Sequence, residues 1–316
     1  MKLKIGTRIF NEEYFIEDFL RYYIELGVEE IHVFDCKSTD RTIQILKRVM
    51  NSSTDFKNKI IIAYSNEKFR HINYLNQTIF CNYILSYALN NFIKEKEEIV
   101  WMFPDVDEFI RKPDIFELKE IFYNNLSEIF RTVFIEWYLP PNALKFYMNP
   151  KEILSKIKSG KIKGRIMDLW GDPYYKDYIF HLTSQNFDKF RTLKTVSGFH
   201  RFISNKQVII PSNKNFLIVD HLRGVPIDIT RQRIQKCLEL LSSNEDEWSF
   251  QHFSRLKSQI EDYENFYRKH LKSKDEISNQ MKEISTFDNK SSYFNKVIMQ
   301  DNVIDLGISK PSMHGS

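Results

Sequence analysis

Four short apolar runs, separated by stretches of helical period, constrain this chain more tightly than any other feature. The first, Lys2–Ile9, ends in Phe10-Asn11-Glu12-Glu13 and is followed by Phe15, Ile16, Phe19, Leu20, Tyr23 and Ile24 at helical spacing, with Gly27 as a stop. Ile31–Phe34 predicts a second strand that ends at Asp35, and Ile43, Ile45, Leu46 and Val49 predict a helix capped near Ser38 or Thr39. Lys59–Tyr64 is a third strand, Tyr74–Phe92 a long helix, and Ile99–Phe103 a fourth strand that runs into Pro104-Asp105-Val106-Asp107-Glu108.

The order β-α-β-α-β-α-β favours an α/β fold, a mostly parallel sheet flanked by helices on both faces. Such a sheet gathers its binding loops at the carboxyl ends of its strands. Asn11, Asp35 and Asp105 each end an apolar run and are expected to meet at that edge.

Farther along, Phe130–Tyr138 and Phe216–Val219 predict strands, while Asn149–Gly160 is a helix or a loop. Gly160–Thr183 is rich in Gly, Asp and aromatic residues without clear periodicity. The expected organisation is a nucleotide-binding domain over residues 1–225, with an acceptor-side insertion at about 140–192, then a helical C-terminal extension and tail over 226–316. In the extension, Ile229–Leu241 and Trp248–His270 predict helices, and polar sequence begins near Ser273. No internal repeat is present.

A chain of 316 residues can bury a core without staples, and 42% hydrophobic with 28% charged residues is a globular balance. A formal charge of +4 is too small for a dedicated nucleic-acid binder, so no nucleic-acid partner is expected. Cys36, Cys81 and Cys237 give no disulfide framework. No apolar run reaches the roughly 18 residues of a membrane span. The expected location is cytoplasmic, with peripheral contact at the inner face of a membrane as the alternative, and the oligomeric state is left open.

Asp105 and Asp107 lie two apart, on the same side of an extended segment, and as hard oxygen ligands suit Mg2+ or Mn2+ bridged to phosphates. Helix capping or simple solvation is the bland alternative. Glu108 would support them from behind. Asp35 can accept from a nucleobase or ribose; Asp40 can do the same or cap a helix. Asn11 and Glu12 form the exit loop of the first strand, where a nucleotide contact competes with turn and cap roles. His221 can complete a metal shell and Arg223 can neutralise a leaving diphosphate. His200 is a competing ligand or phosphate contact, or an ordinary structural histidine, and His32, inside a strand, is structural. The Gly-rich phosphate loops, the Gly-x-Ser-x-Gly elbow and Cys-x-x-Cys pairs are missing, which disfavours kinases, dehydrogenases, hydrolases of the elbow type and zinc modules.

Taken together, Ile9-Phe10-Asn11-Glu12-Glu13, Leu26 to Asp35, Ser38-Thr39-Asp40-Arg41-Thr42 and Trp101 to Phe109 resemble the family 2 type of nucleotide-sugar glycosyltransferase. The closest branch is the one with an Asn-Glu-Glu start and an Asp-x-Asp-Glu-Phe motif. The resemblance implies a GT-A type nucleotide-binding fold. It places Asn11 and Glu12 near the nucleotide, Asp35 at its base, and Asp105 and Asp107 at a Mn2+ or Mg2+ ion. His221-Leu222-Arg223 is similar to the branch's later His-Tyr-x-x-[Lys/Arg] segment, with Leu222 in place of the aromatic residue and Arg223 arriving early.

The resemblance further implies a nucleoside-diphosphate sugar donor, a glycan or lipid-linked glycan acceptor, and work on lipopolysaccharide or other surface polysaccharide. It implies inversion at the anomeric carbon by a general base, for which Glu136, Asp168 and Asp188 are the candidates in that order. Trp137, Tyr138 and Trp170 would offer an acceptor platform or pack in the core. Sugar-phosphate nucleotidyl transfer and noncatalytic binding of a nucleotide sugar or glycan are the competing classes.

Overall fold

The computed structural model describes residues 1–64, 74–111, 119–120, 129–141, 149–166, 168–169, 172–173, 175–195, 202–204, 207–208, 217–222, 227–241, 254 and 256–284. The expected alternation is present at the start: β1 (Lys2–Ile9), α1 (Ile16–Glu25), β2 (Glu30–Asp35), α2 (Thr42–Met50), α3 (Thr54–Lys59), β3 (Ile60–Tyr64), α4 (Tyr74–Glu95) and β4 (Ile99–Met102). Gly27 ends the first helical segment in the left-handed region, with φ of 94°, where a side chain would strain the backbone. The short α3 is an addition to the sequence reading; Ser53 caps it by accepting from the Phe56 amide.

The second half contributes β5 (Glu108–Ile110), β6 (Ile129–Tyr138), α5 (Pro150–Lys158), β7 (Lys163–Ile166), β8 (Asp168–Leu169), β9 (Asp172–Pro173) and β10 (Tyr175–Leu182). It continues with α6 (Phe187–Phe190), β11 (Lys194–Thr195), β12 (Phe202–Ser204), β13 (Gln207–Val208) and β14 (Leu217–His221), then α7 (Ile227–Leu241), α8 (Tyr263–His270) and α9 (Lys274–Ile284). Asn149 and Glu152 form a reciprocal capping box, which settles 149–160 as a helix start rather than a loop.

The main sheet runs β3-β2-β1-β4-β10-β6-β14-β5, with β7 beside β6. β1, β2, β3 and β4 pair in parallel, which is the half of the sheet that the apolar runs foretold. β10 is antiparallel to both β4 and β6, β14 is parallel to β6, and β5 and β7 close antiparallel pairs. Helices α1, α2 and α4 pack on the sheet through Ile16, Phe19, Leu20, Tyr23, Leu46, Val49, Ile84 and Ala88, all in one apolar core with the strands.

The segment expected to be an excursion therefore supplies β10, a central strand. Its periodicity is hidden because the register shifts between Lys176 and Ile179, and because the buried Lys176 stands where an apolar residue would be looked for. A second apolar cluster joins Tyr138 of β6 to Ile234 of α7, to Leu256 and Ile260, and to Tyr263 and Phe266 of α8. The described residues through Ile284 belong to one compact unit, and residues 285–316 lie outside the described residues. Among the described residues no helix is long and apolar enough to cross a membrane.

Candidate functional site

The loops after β1 and β2 are built against each other. Ile9 and Asp35 are registered partners at the ends of their strands, and the Cys36 amide continues the ladder by donating to the Ile9 carbonyl at 2.8 Å. Asn11 then enters the left-handed region, with φ of 58°, a conformation that Asn tolerates better than most residues. Its Oδ1 accepts from the Thr39 amide at 2.7 Å, and its own amide donates to Ser38 Oγ at 3.0 Å. Asp35 Oδ1 accepts from the Ser38 amide at 3.0 Å and from Ser38 Oγ at 2.7 Å.

Asp40 joins the loops on their other side, accepting from the Glu13 amide at 3.2 Å and from the Thr42 amide at 2.9 Å. The Glu12 amide donates to Thr42 Oγ1 at 2.7 Å, while the Glu12 carbonyl accepts from the Phe15 and Ile16 amides ahead of α1. These bonds explain why α2 is not capped by Ser38 or Thr39: both are committed to the neighbouring loop, and the helix begins at Thr42.

The acidic motif after β4 is a turn rather than an extended segment. The Glu108 amide donates to the Asp105 carbonyl at 3.0 Å, and the Asp105 amide donates back to Glu108 Oε2 at 2.9 Å. Val106 is buried, while Asp105 and Asp107 are partly exposed, so both acids still emerge together. Helix α1 fixes the strand that follows: Tyr23 Oη donates to the Glu108 carbonyl at 2.9 Å and accepts from the Ile110 amide at 3.2 Å.

Three strands bring further charge to this edge. His221 is registered with Glu108 on β5 and with Glu136 on β6, and Glu136 is registered with Arg165 on β7. His221 Nε2 lies 3.6 Å from Asp107 Oδ2, and its Nδ1 lies 4.0 Å from Glu136 Oε1. Burial opposes charging of the ring, yet Asp107, Glu108 and Glu136 around it raise its pKa overall. The neighbouring Asp220 alternates away from His221, and takes a hydrogen bond from Trp137 Nε1 at 2.7 Å and an ion pair from Arg111 at 2.6 Å.

Lys176, unforeseen in the sequence, reaches this cluster from β10. Its Nζ lies 2.8 and 3.0 Å from the two Glu108 oxygens and 3.3 Å from Asp105 Oδ2, above the Phe134 ring. Burial pushes the Glu108 carboxyl up to about 7, against the opposing pull of the Lys176 ammonium. Arg8, near the end of β1, was also passed over; it lies in the field of both Asp105 and Glu12. A basic residue in a predicted strand, one position before its carboxyl end at Ile9, was the available signal.

The other sequence candidates divide. Glu136 is 1% exposed and ion-paired to Arg165 at 2.7 Å. Asp188 is not brought to this edge: β10 runs antiparallel to β4, Leu182 pairs with Ile99 at the start of β4, and the strongly exposed Asp188 follows Leu182 at the opposite edge. Asp168 starts the short β8, paired with Pro173. Trp137 and Tyr138 are buried and offer no platform for a sugar. Arg223, His200 and Trp170 lie outside the described residues. His32 is structural as expected, lying between Glu30 and Tyr87.

Among the described residues no three His, Cys, Asp or Glu side chains converge as a ready-made metal shell. The donor set still fits a hard divalent cation completed by phosphate oxygens. Asp107 and His221 face each other at 3.6 Å, and Asp105 stands in the same turn. The buried His221 Nδ1 has no hydrogen-bond partner, while Glu136 faces it, as suits a histidine ligand backed by a carboxylate.

No protein-family model and no curated protein matches the chain. Among solved structures it is similar to S. aureus TarS 1-349, with 14% identity and a TM-score of 0.33, over 85% of this chain and 74% of that one. It covers only 44% of the TarS chain in a second structure. It is also similar to the mannosyltransferase PcManGT from Pyrobaculum calidifontis in complex with GDP-Man and Mn2+, with 11% identity and a TM-score of 0.39, over 94% of this chain and 78% of that one.

Proposed function

We propose that this chain is a nucleotide-sugar-dependent glycosyltransferase that uses Mn2+ or Mg2+ and passes a sugar, with inversion, to a hydroxyl of a glycan or lipid-linked glycan. One observation carries the reading: the loops after β1 and β2, the acidic turn after β4 and the end of β14 lie at one edge of the sheet. That edge is where an open α/β sheet binds its ligands. The motif resemblance of residues 9–13, 26–42 and 101–109 supplies the reaction class and the inverting course, and it is the ground for surface polysaccharide as the product.

Asp105, Asp107 and His221 would hold the cation, whose positive charge stabilises the departing diphosphate. Asn11 and Asp35 frame the nucleoside end of the site, with their loop bonds keeping both at fixed positions. Arg8 adds a positive charge that interacts with Asp105. In the reaction the acceptor oxygen bonds to the anomeric carbon and its proton passes to a base. The bond from that carbon to the phosphate oxygen breaks, and its electrons leave with the nucleoside diphosphate.

Thermal-shift measurements with a panel of nucleoside-diphosphate sugars, with and without Mn2+, test the reading, since a ligand that binds only the folded state raises its stability. The expected result is a Mn2+-dependent rise with one donor, and release of nucleoside diphosphate that Asp105→Ala and Asp107→Ala abolish without unfolding the chain. Full metal-dependent turnover in both variants would remove the site assignment. Release of pyrophosphate would indicate nucleotidyl transfer instead, and donor binding without release would indicate a noncatalytic binder.

A further inference from the structure

Glu136 lies near the carboxyl end of β6 with its side chain almost wholly buried, a costly place for a carboxylate unless it is paired. Two side chains meet on one of its oxygens. Glu136 Oε2 accepts from Arg165 Nε at 2.8 Å and from Tyr138 Oη at 3.0 Å, and a second Arg165 nitrogen lies 2.7 Å from the same oxygen. The other oxygen, Oε1, is the one that faces His221 Nδ1.

Arg165 is itself held. Its guanidinium lies 5.9 Å from the Tyr138 ring centre and 5.4 Å from that of Phe266, a residue of α8 about a hundred positions later in the chain. Phe266 packs edge-on against Tyr138 at 5.2 Å, and Tyr263, one turn earlier, donates from Oη to the Leu139 carbonyl at 2.6 Å. The approach of β7 to β6 depends on Gly164: a Cβ there would lie 2.7 Å from the Glu136 carbonyl and 2.7 Å from the Trp137 ring. The C-terminal helices therefore touch the histidine of the candidate site through a short series of contacts: Phe266, Arg165, Glu136, His221.

We propose that Arg165, clasped between Tyr138 and Phe266, is a positioning residue that fixes Glu136 so that its carboxylate sets the ring orientation and tautomer of His221. With Oε2 held by the arginine and the tyrosine, the carboxylate presents its negative charge to Nδ1 across 4.0 Å, an electrostatic contact rather than a hydrogen bond, and so favours the proton on that nitrogen. Nε2 is then turned toward Asp107. This rests on the reading of His221 as a ligand, and it gives the C-terminal helices a task in the site. Glu136 thereby acts through His221, as an orienting carboxylate rather than as the base that takes the acceptor's proton.

The test uses the full chain and two readouts. In the metal-free protein, 15N–1H spectra report which ring nitrogen of His221 carries the proton: the Nδ1–H form is expected in the wild type, with its resonance displaced in Glu136→Gln and Phe266→Leu. Mn2+ titrated alone and followed by electron paramagnetic resonance gives its affinity, expected to fall about 10- to 100-fold in either variant. Glu136→Gln combined with Phe266→Leu is expected to bind no more weakly than Glu136→Gln, because both act on one series of contacts. Tyr138→Phe keeps the aromatic clasp and removes one donor to Glu136, so it serves if Phe266→Leu does not fold; a smaller displacement of the same resonance is expected.

An unmoved Nδ1–H resonance in folded Phe266→Leu, or in Tyr138→Phe should that variant replace it, overturns the proposal. So do losses of Mn2+ affinity that simply multiply in the double variant. Failure of the wild type to bind Mn2+ would count against the metal reading alone, and the metal-free spectra would still decide the positioning role.

Discussion

Lys176 and Glu108, distant in sequence, form a buried ion pair with Nζ 2.8 and 3.0 Å from the two carboxylate oxygens, directly behind the acidic turn at Asp105. Both side chains are almost fully buried, so neither charge has water to fall back on. Glu108 in turn closes the turn by accepting from the Asp105 amide. The pair thus joins the stability of the sheet to the geometry of the candidate site.

Lys176→Met keeps the bulk of the side chain and leaves the buried Glu108 without its cation, held only by the Asp105 amide. A loss of about 3–5 kcal/mol in urea denaturation is expected. Adding Glu108→Gln, which removes the buried acid that Lys176 no longer balances, should restore most of it. A double variant no more stable than Lys176→Met would mean that the cost lies in packing and not in the pair.

Asn11, Asp35 and Asp105 were legible because each ends an apolar run, and strand ends on one side of a parallel sheet share an edge. Lys176 was not, because the register shift in β10 breaks the alternation that would have marked it as a strand residue. Glu136 was visible as a strand acid, but its meaning depends on Arg165, which only the pairing of β6 with β7 brings across. Asp188 misled for the opposite reason: local sequence carries no sign that β10 reverses direction and delivers it to the far edge. The amphipathic C-terminal helices were readable as helices, while their contact with Tyr138 is a tertiary fact.

Two demands meet at Asn11, a positive φ of 58° and a hydrogen bond from the Thr39 amide, and substitutions separate them. Asn11→Gly keeps the backbone conformation and loses the bond, at about 1 kcal/mol. Asn11→Ala loses the bond and also meets the left-handed penalty of about 1–2 kcal/mol. Denaturant midpoints should therefore fall in the order wild type, Gly, Ala. Equal midpoints for the Gly and Ala variants would show that the loop relaxes out of the left-handed region.

At the opposite end of the sheet, Glu30 accepts from His32 at 2.9 Å and lies 2.7 Å from the fully buried Lys4 ammonium. The hydrogen bond from His32, followed by the Lys4 charge and opposed by burial, lowers its pKa to about 2. A depressed carboxylate pKa means that the unfolded chain binds the proton more readily. The stabilisation is present above the ordinary carboxylate range, about 4.5, and is lost as pH falls toward about 2. Unfolding free energies measured from pH 5 to pH 2 should fall by an amount on the order of 3 kcal/mol from this group. Glu30→Gln should flatten that part of the profile, and an unchanged slope would assign the loss to other acids.

Gly6 tests how closely the core governs the acidic turn. A Cβ at this position would stand 3.0 Å from the Phe103 ring and 3.1 Å from Ile84, so one of them must yield. Phe103 is stacked against Trp101 at 6.0 Å and Phe180 at 5.4 Å, which leaves it little room to turn, and Asp105 follows only two residues later. Gly6→Ala should cost about 1–3 kcal/mol by overpacking. If the ring yields, the displacement passes through Pro104 to the turn, and Mn2+ affinity falls as well. Pairing Gly6→Ala with Phe103→Leu makes room for the added methyl, so affinity should recover more than stability does. Should stability fall while Mn2+ affinity holds in Gly6→Ala, Ile84 is the residue that moves, and the turn is anchored by Glu108 and Tyr23 without help from Phe103.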